Sequence, residues 1–127
     1  LTMAGEAIGW DQAKVDSVIS ERLPKNVLKF SQGTFYYESG DRYEGNYKDG
    51  KRSGQGTSYC GSGEYKGDRY EGNHKDGKFS GQGIYYWEDG DRYEGNFKDA
   101  KPSGQGTYYS KDGSQEKQNW RDGKNVW

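Results

Sequence analysis

Apolar and polar side chains alternate along short stretches of the chain. In residues 42–48 (RYEGNYK) tyrosine and glycine occupy every second position, and charged or amide residues occupy the positions between them. A period of two is typical of a β-strand with one apolar and one polar face. Asp49-Gly50 follows, a dipeptide that favours the positive φ angles of a two-residue hairpin turn. The pattern therefore predicts a β-hairpin whose return strand is residues 51–59 (KRSGQGTSY).

The hairpin pattern recurs along the chain. Gly40, Gly67, Gly90 and Gly113 begin equivalent segments that are 27, 23 and 23 residues apart, and the first interval is longer because CGSGEYK replaces a shorter link. A period in this range is typical of repeat architectures. We therefore divide the chain into an N-terminal segment (1–30) and a repeat region (31–127). The repeat region contains a half repeat (31–39), three full repeats (40–66, 67–89 and 90–112) and a degenerate terminal repeat (113–127).

These repeats predict an all-β fold. Successive hairpins joined edge to edge give one elongated, single-layer antiparallel sheet of about seven strands, roughly 30–35 Å long at about 4.8 Å per strand. In the return strand Gly54 and Gly56 carry no side chain, so the ring of Tyr43 or Tyr47 has room to lie on the neighbouring strand. We expect one face of the sheet to be an aromatic stripe and the other face to be charged and polar.

The third hairpin departs from the pattern at its turn. Asp99-Ala100 stands where the other hairpins have Asp-Gly. A Cβ atom at a left-handed position costs about 1 kcal/mol, so we expect local strain at Ala100. Pro102 follows in the same unit and also indicates a locally altered hairpin.

The N-terminal segment has a different pattern. Asp11 is a candidate helix cap and Pro24 a candidate stop. The apolar residues between them fall at helical spacing, which predicts a short amphipathic α-helix: Val15, Val18, Ile19 and Leu23. Such a helix would cover the aromatic face or the open edge of the first repeat. The alternative is a helix that dimerises or docks on a partner.

Composition and charge exclude several classes of protein. Hydrophobic residues make up only 28 % of the chain but aromatic residues 16 %, which indicates a thin, ordered, aromatic-rich structure rather than disorder. The chain has nineteen basic and twenty acidic residues, so its net charge is close to zero. That balance argues against nucleic-acid binding, which needs a basic stripe. We expect no nucleic-acid partner.

Residues with catalytic or metal-binding chemistry are few. His74, the single histidine, occupies the repeat position that Tyr47 and Phe97 occupy in the other repeats. We therefore interpret it as a structural residue. Cys60 lies in the inserted link without a second thiol or histidine near it in sequence, which argues against a zinc site; a surface thiol open to modification is the alternative. We predict no catalytic residue, no metal and no cofactor, and therefore a protein that is not an enzyme.

The repeat resembles a known family, the MORN repeat (membrane occupation and recognition nexus), whose pattern is Y-x-G-x-x-x-x-G-x-x-x-G-x-G. Ala100 is the one departure from this pattern in the third copy. The matching residues occur in register three times and are expected to be structural: Tyr43, Gly45, Gly50, Gly54 and Gly56; Tyr70, Gly72, Gly77, Gly81 and Gly83; Tyr93, Gly95, Gly104 and Gly106. The resemblance implies a hairpin ribbon used mostly for non-enzymatic scaffolding, as in cytoskeletal scaffolds and junctional membrane tethers. MORN repeats also stand beside catalytic domains of larger enzymes, which leaves open a regulatory repeat region.

A protein partner suits this composition best, because an aromatic stripe rimmed by charge is typical of an interaction surface. We expect a peptide, a helix or a second copy of the chain on the stripe. The predicted contact residues are Tyr47, His74, Phe97, Trp120, Tyr59, Tyr85, Tyr86, Tyr108 and Tyr109.

Two alternatives to a protein partner stay open. A peripheral membrane or phosphoinositide site is weakly supported, because the three full repeats carry net charges of +1, −2 and 0 without an obvious basic cluster. The second alternative is sugar or choline binding, which the aromatic segment IYYWEDG (84–90) suggests. The aromatic solenoids that bind these ligands lack the G-Q-G that follows the turn in this chain, which argues against this alternative. We expect a cytoplasmic protein, with association to the cytoskeleton or a membrane as the further expectation.

Overall fold

A computed structural model of the protein describes residues 30–127, and these form one open antiparallel sheet. Neighbouring strands in the sheet are also neighbours in the sequence. There are nine strands rather than the seven expected: β1 (Phe30–Tyr36), β2 (Arg42–Lys48), β3 (Lys51–Tyr59), β4 (Arg69–Lys75), β5 (Lys78–Tyr86), β6 (Arg92–Lys98), β7 (Lys101–Tyr109), β8 (Gln115–Arg121) and β9 (Lys124–Asn125). The predicted N-terminal helix lies outside the described residues.

Two-residue turns join the strands of each hairpin, as the Asp-Gly dipeptides predict. Asp49 and Gly50 have φ angles of 50° and 79°, the left-handed pair that a type I′ turn requires. On the opposite side of the sheet, longer links connect one hairpin to the next. The longest of these is the insertion after β3, which contains a short 3₁₀ turn at Gly63–Tyr65.

Ala100 adopts the left-handed conformation predicted from the sequence, with φ of 69°. Its N–H donates a hydrogen bond to the carbonyl oxygen of Phe79 at 3.1 Å, which holds the turn against the preceding unit. Replacing Ala100 by glycine is expected to raise the free energy of unfolding by about 0.5–1 kcal/mol, because the Cβ strain is removed. Urea denaturation measures this change. The reciprocal variant, Gly77→Ala, should lose a similar amount, and equal stabilities for all three proteins would contradict the strain.

A row of glycines crosses the sheet where the tyrosine rings lie. Gly45 pairs with Gly56, Gly56 with Gly72, and the row continues through Gly83, Gly95 and Gly106. A Cβ atom built on Gly56 would stand 2.6 Å from Cε1 of Tyr43. The prediction that glycine makes room for a ring is therefore confirmed for Gly56, and the same contact recurs at Gly83 and Gly106.

Gly54 has a different role from the one expected. Its φ is 70°, and a Cβ atom there would meet only the Asn46 side chain, with the closest atom at 3.3 Å. Gly45 pairs with Gly56 whereas Tyr47 pairs with Arg52, so residues 53–55 form a β-bulge opposite Asn46. Gly54 supplies the left-handed residue that this bulge needs. Equivalent register shifts occur in the other two full repeats.

Aromatic rings pack on one face of the sheet, which we call the aromatic face. Tyr70 stacks on Phe79 with ring centroids 4.0 Å apart, and Phe97 meets the edge of both rings. The main core cluster of buried residues consists of Tyr70, Phe79, Tyr85, Tyr93, Phe97, Tyr108 and Trp120. Charged and amide side chains occupy the other face, the polar face. The predicted division of the sheet into two unlike faces is confirmed.

Candidate interaction surfaces

The nine predicted contact residues do not share one surface. Six of them lie on the aromatic face and are buried, with at most 2 % of each residue exposed: Tyr47, His74, Phe97, Trp120, Tyr85 and Tyr108. The other three lie half-buried on the polar face, because they face the opposite way on their strands: Tyr59, Tyr86 and Tyr109. The predicted set of contact residues is therefore divided between the two faces of the sheet.

Arginine and tyrosine alternate across the polar face in a line that we call the Arg–Tyr row. Cross-strand pairing places Arg42 beside Tyr59, Tyr59 beside Arg69, and so on along the sheet. The guanidinium of Arg69 lies 3.7 Å from the centre of the Tyr86 ring, a cation–π distance. Arg42 over Tyr59 and Arg92 over Tyr109 have the same arrangement, each at 3.9 Å.

Each arginine of the row also contacts a glutamate two residues later on the same strand. Nε of Arg69 is 2.9 Å from Oε2 of Glu71, and Nε of Arg92 is 2.8 Å from Oε2 of Glu94. These side chains are about 40 % exposed, for example 41 % for both Arg69 and Glu71. Stacking and ion pairing therefore hold the guanidinium groups in place while they remain in contact with solvent.

Amide side chains form a second line across the polar face, the amide row. Gln82 pairs with Asn96 across strands, with Nε2 and Oδ1 3.5 Å apart. Gln55–Asn73 and Gln105–Asn119 are equivalent pairs. A shallow groove of about 340 Å³ runs between this row and the glutamates, floored by glycine backbone and bordered by Ile84. The groove offers both donors and acceptors to a ligand.

At the strand ends away from the hairpin turns, aspartate side chains form hydrogen bonds that connect one link to the following link. Oδ1 of Asp68 accepts a hydrogen bond from the Glu88 N–H at 2.8 Å, and Oδ2 accepts one from the Tyr85 hydroxyl at 2.6 Å. Asp91 makes the same pair of bonds with Lys111 and Tyr108. Burial raises the pKa of the Asp68 carboxyl. These groups are structural, and only the spacing of identical Asp and Tyr residues signalled them.

His74 belongs to a buried polar network rather than to a catalytic or metal site. Its Nε2 is 2.9 Å from Oγ of Ser58, which also accepts a hydrogen bond from Nη1 of Arg52 at 3.1 Å. Nδ1 lies 3.1 Å from the carbonyl oxygen of Gly72. Since a carbonyl only accepts, Nδ1 carries the proton and Nε2 accepts from Ser58. Burial and the positive charge of Arg52 lower the pKa of His74 to about 3.

Cys60 is buried, with 7 % of the residue exposed, so the alternative of a surface thiol is wrong. Its thiol donates a hydrogen bond to the carbonyl oxygen of Ser62 at 3.2 Å. Burial raises the pKa of the thiol to about 11, which leaves almost no thiolate at neutral pH.

Charges separate between the two long sides of the sheet. We define the turn edge as the four hairpin turns (residues 48–51, 75–78, 98–101 and 121–124), which together carry eight basic and four acidic residues. We define the connection edge as the four links (residues 37–41, 60–68, 87–91 and 110–114), which carry eight acidic and two basic residues. Net charges of +4 and −6 therefore lie on opposite sides of the sheet, although each repeat is nearly neutral.

Two further features, metal-ligand clusters and membrane-spanning helices, are not found in the described part of the chain. No group of three or more His, Cys, Asp or Glu residues within residues 30–127 is placed to hold a metal ion. No helix in the same residues is long and apolar enough to cross a membrane.

The fold and these surfaces define a β-hairpin repeat protein, in which each unit adds two strands to one sheet. The model of a family described as the MORN repeat matches residues 43–65, 70–92 and 93–115, together more than half of the chain. The chain belongs to the MORN repeat family, which confirms the resemblance seen in the sequence. No curated protein matches the chain. Family membership indicates a repeat-based interaction or membrane-associated module.

Proposed function

We propose that this protein is a non-enzymatic scaffold that binds a protein segment along the polar face of its sheet. The observation that carries the proposal is the Arg–Tyr row: three equivalent Arg–Tyr–Glu arrangements on one sheet, whose arginine and glutamate side chains are about 40 % exposed. They lie two strands apart, which is about 9.6 Å. Arginine and tyrosine are enriched in protein interfaces, and their fixed geometry here lowers the entropy lost on binding.

The partner segment would use both rows of the polar face. Carboxylates of the segment would reach the arginine nitrogens that the glutamates leave exposed, and its main-chain groups would hydrogen-bond the amide row. Phe97 and Trp120, two of the rings that the sequence predicts as contact residues, are buried on the aromatic face. Binding at the polar face requires no exposure of that core.

Selection of peptides from a random library tests this proposal. Peptides selected on the wild-type chain should lose at least tenfold in affinity for the double variant Arg69→Gln/Arg92→Gln, a loss that equals about 1.4 kcal/mol. Glutamine keeps much of each aliphatic stem, so the fold should be retained. Lys78→Glu, an exposed change of the same net charge on the turn edge rather than on the polar face, is the matched control and should bind normally. Failure to select any peptide, or equal binding by the double variant, would exclude the polar face.

A membrane surface is the second candidate partner. The observation that favours it is the net charge of +4 on the turn edge, since basic clusters bind anionic leaflets. This candidate uses a different surface from the polar face. Co-sedimentation with anionic lipid vesicles distinguishes the two, because Arg69→Gln/Arg92→Gln leaves the turn edge unchanged.

A further inference from the structure

We propose that copies of this chain associate side by side, with the turn edge of one copy against the connection edge of the next. This inference is independent of the proposed peptide site, which lies on the polar face. It concerns two surfaces that the topology separates completely. All hairpin turns lie on one side of the sheet and all links lie on the other, because the strands follow one another in sequence order.

Charge complementarity is the first argument. The basic side chains of the turn edge are exposed, and within residues 30–127 none of them forms an ion pair. On the connection edge Glu64 and Glu88 are exposed in the same way. Of the edges that residues 30–127 form, the connection edge is the one whose charge complements the turn edge, and a second copy supplies it.

Matched spacing is the second argument. Both edges belong to the same strands, so turns and links recur at one interval, two strands or about 9.6 Å. Two grooves of about 480 and 520 Å³ separate consecutive turns of the turn edge, between the first and second hairpins and between the second and third. Lys75 borders both grooves. A link of the second copy that enters one groove places its neighbouring link at the next groove.

We expect the association between copies to be weak and to have no fixed number of copies. Exposed ion pairs each contribute little, and the twist of a sheet separates two straight edges after a few strands. Because different surfaces meet, each pair of copies leaves one turn edge and one connection edge unused. Association should therefore continue without a fixed stoichiometry. A chain with net charge of only −1 resists such association poorly.

Light scattering over a concentration series tests the proposal. The wild-type association constant should be at least tenfold higher in 20 mM than in 500 mM NaCl, because exposed ion pairs are screened by salt. The variants Lys75→Glu/Lys78→Glu and Glu64→Lys/Glu88→Lys should each associate less than wild type, and an equimolar mixture of them should associate again. Lys117→Glu, away from both edges, should behave like wild type. Unchanged thermal melting would show that the exposed replacements preserve the fold.

Disulfide trapping tests which edges are in contact. Lys75→Cys mixed with Glu88→Cys should form intermolecular disulfides at least fivefold faster than either variant alone, whereas an association between like edges reverses that order. Equal rates, or an association constant that salt does not change, would overturn the proposal. Binding of the turn edge to vesicles of phosphatidylcholine and phosphatidylserine, without salt-dependent self-association, would also overturn it in favour of a membrane partner.

Discussion

Replacing Gly83 by alanine is expected to lower the free energy of unfolding by about 3 kcal/mol. The added Cβ atom would stand 2.5 Å from both Cε1 and Cζ of Tyr70. Tyr70 cannot move away easily, because its ring is fully buried, stacks on Phe79 at 4.0 Å and meets the edge of Phe97 at 5.0 Å. Its hydroxyl also donates a hydrogen bond to the carbonyl oxygen of Asn73 at 2.9 Å. Either the strand pair or the ring stack must shift.

The matched control for Gly83→Ala is Gly104→Ala. No atom lies within 4 Å of a Cβ atom built on Gly104, and φ there is 72°. This control therefore pays only the strain of a left-handed alanine, about 1 kcal/mol. Urea denaturation of the three proteins measures the difference. Equal losses for both variants would show that backbone conformation, rather than contact with the ring, explains the glycine row.

Acidification should destabilise the protein through His74. The pKa of His74 is about 3 in the folded protein and about 6.5 when it is unfolded and exposed to water. Between these values the unfolded state binds a proton that the folded state does not. The contribution is therefore fully present above pH 6.5 and is lost as the pH falls, by about 1.4 kcal/mol per pH unit. At pH 5 the expected loss is about 2 kcal/mol.

His74→Phe is the control, because Phe97 occupies the equivalent position of the next repeat and packs there against Tyr93. Since the chain has one histidine, this variant removes all imidazole titration. Asp68, whose pKa is raised, contributes in the opposite direction, and it is present in both proteins. Urea denaturation at pH 7.5, 6.5 and 5 should show a steeper decline for wild type than for His74→Phe. Parallel pH profiles would rule out His74 as the cause.

The fold of this protein is predictable from its sequence because the residues that determine it lie close together in the chain. The alternation in residues 42–48 assigns each side chain to a face, and Asp49-Gly50 selects a tight turn through its own backbone preferences. The contact between Tyr43 and Gly56 was also accessible, since a hairpin brings these residues together once its turn is known. The expected number of strands was too low because the degenerate terminal repeat carries a weaker pattern, and this repeat forms the two additional strands, β8 and β9.

The candidate sites were less accessible from sequence. Tyr85 and Tyr86 are adjacent and chemically identical, yet Tyr85 is completely buried and Tyr86 lies beneath Arg69 on the polar face. Strand alternation separates them, but only the packing of the neighbouring units determines how exposed each face is. The role of Gly54 in a bulge was missed for a related reason, since regular alternation does not reveal a shift of register.

By itself the sequence determined the repeat, the hairpin turns and the chemical difference between the two faces, because these depend on residues a few positions apart. Tertiary structure alone decided which groups meet across repeats. Ser58 and His74 are 16 residues apart in the sequence, but Oγ of Ser58 and Nε2 of His74 are 2.9 Å apart. Basic residues of different hairpin turns, up to 76 positions apart in the sequence, lie on one edge of the sheet. Charge summed along the chain mixes the two edges, whereas cross-strand register separates them, and that separation creates the complementary surfaces of this protein.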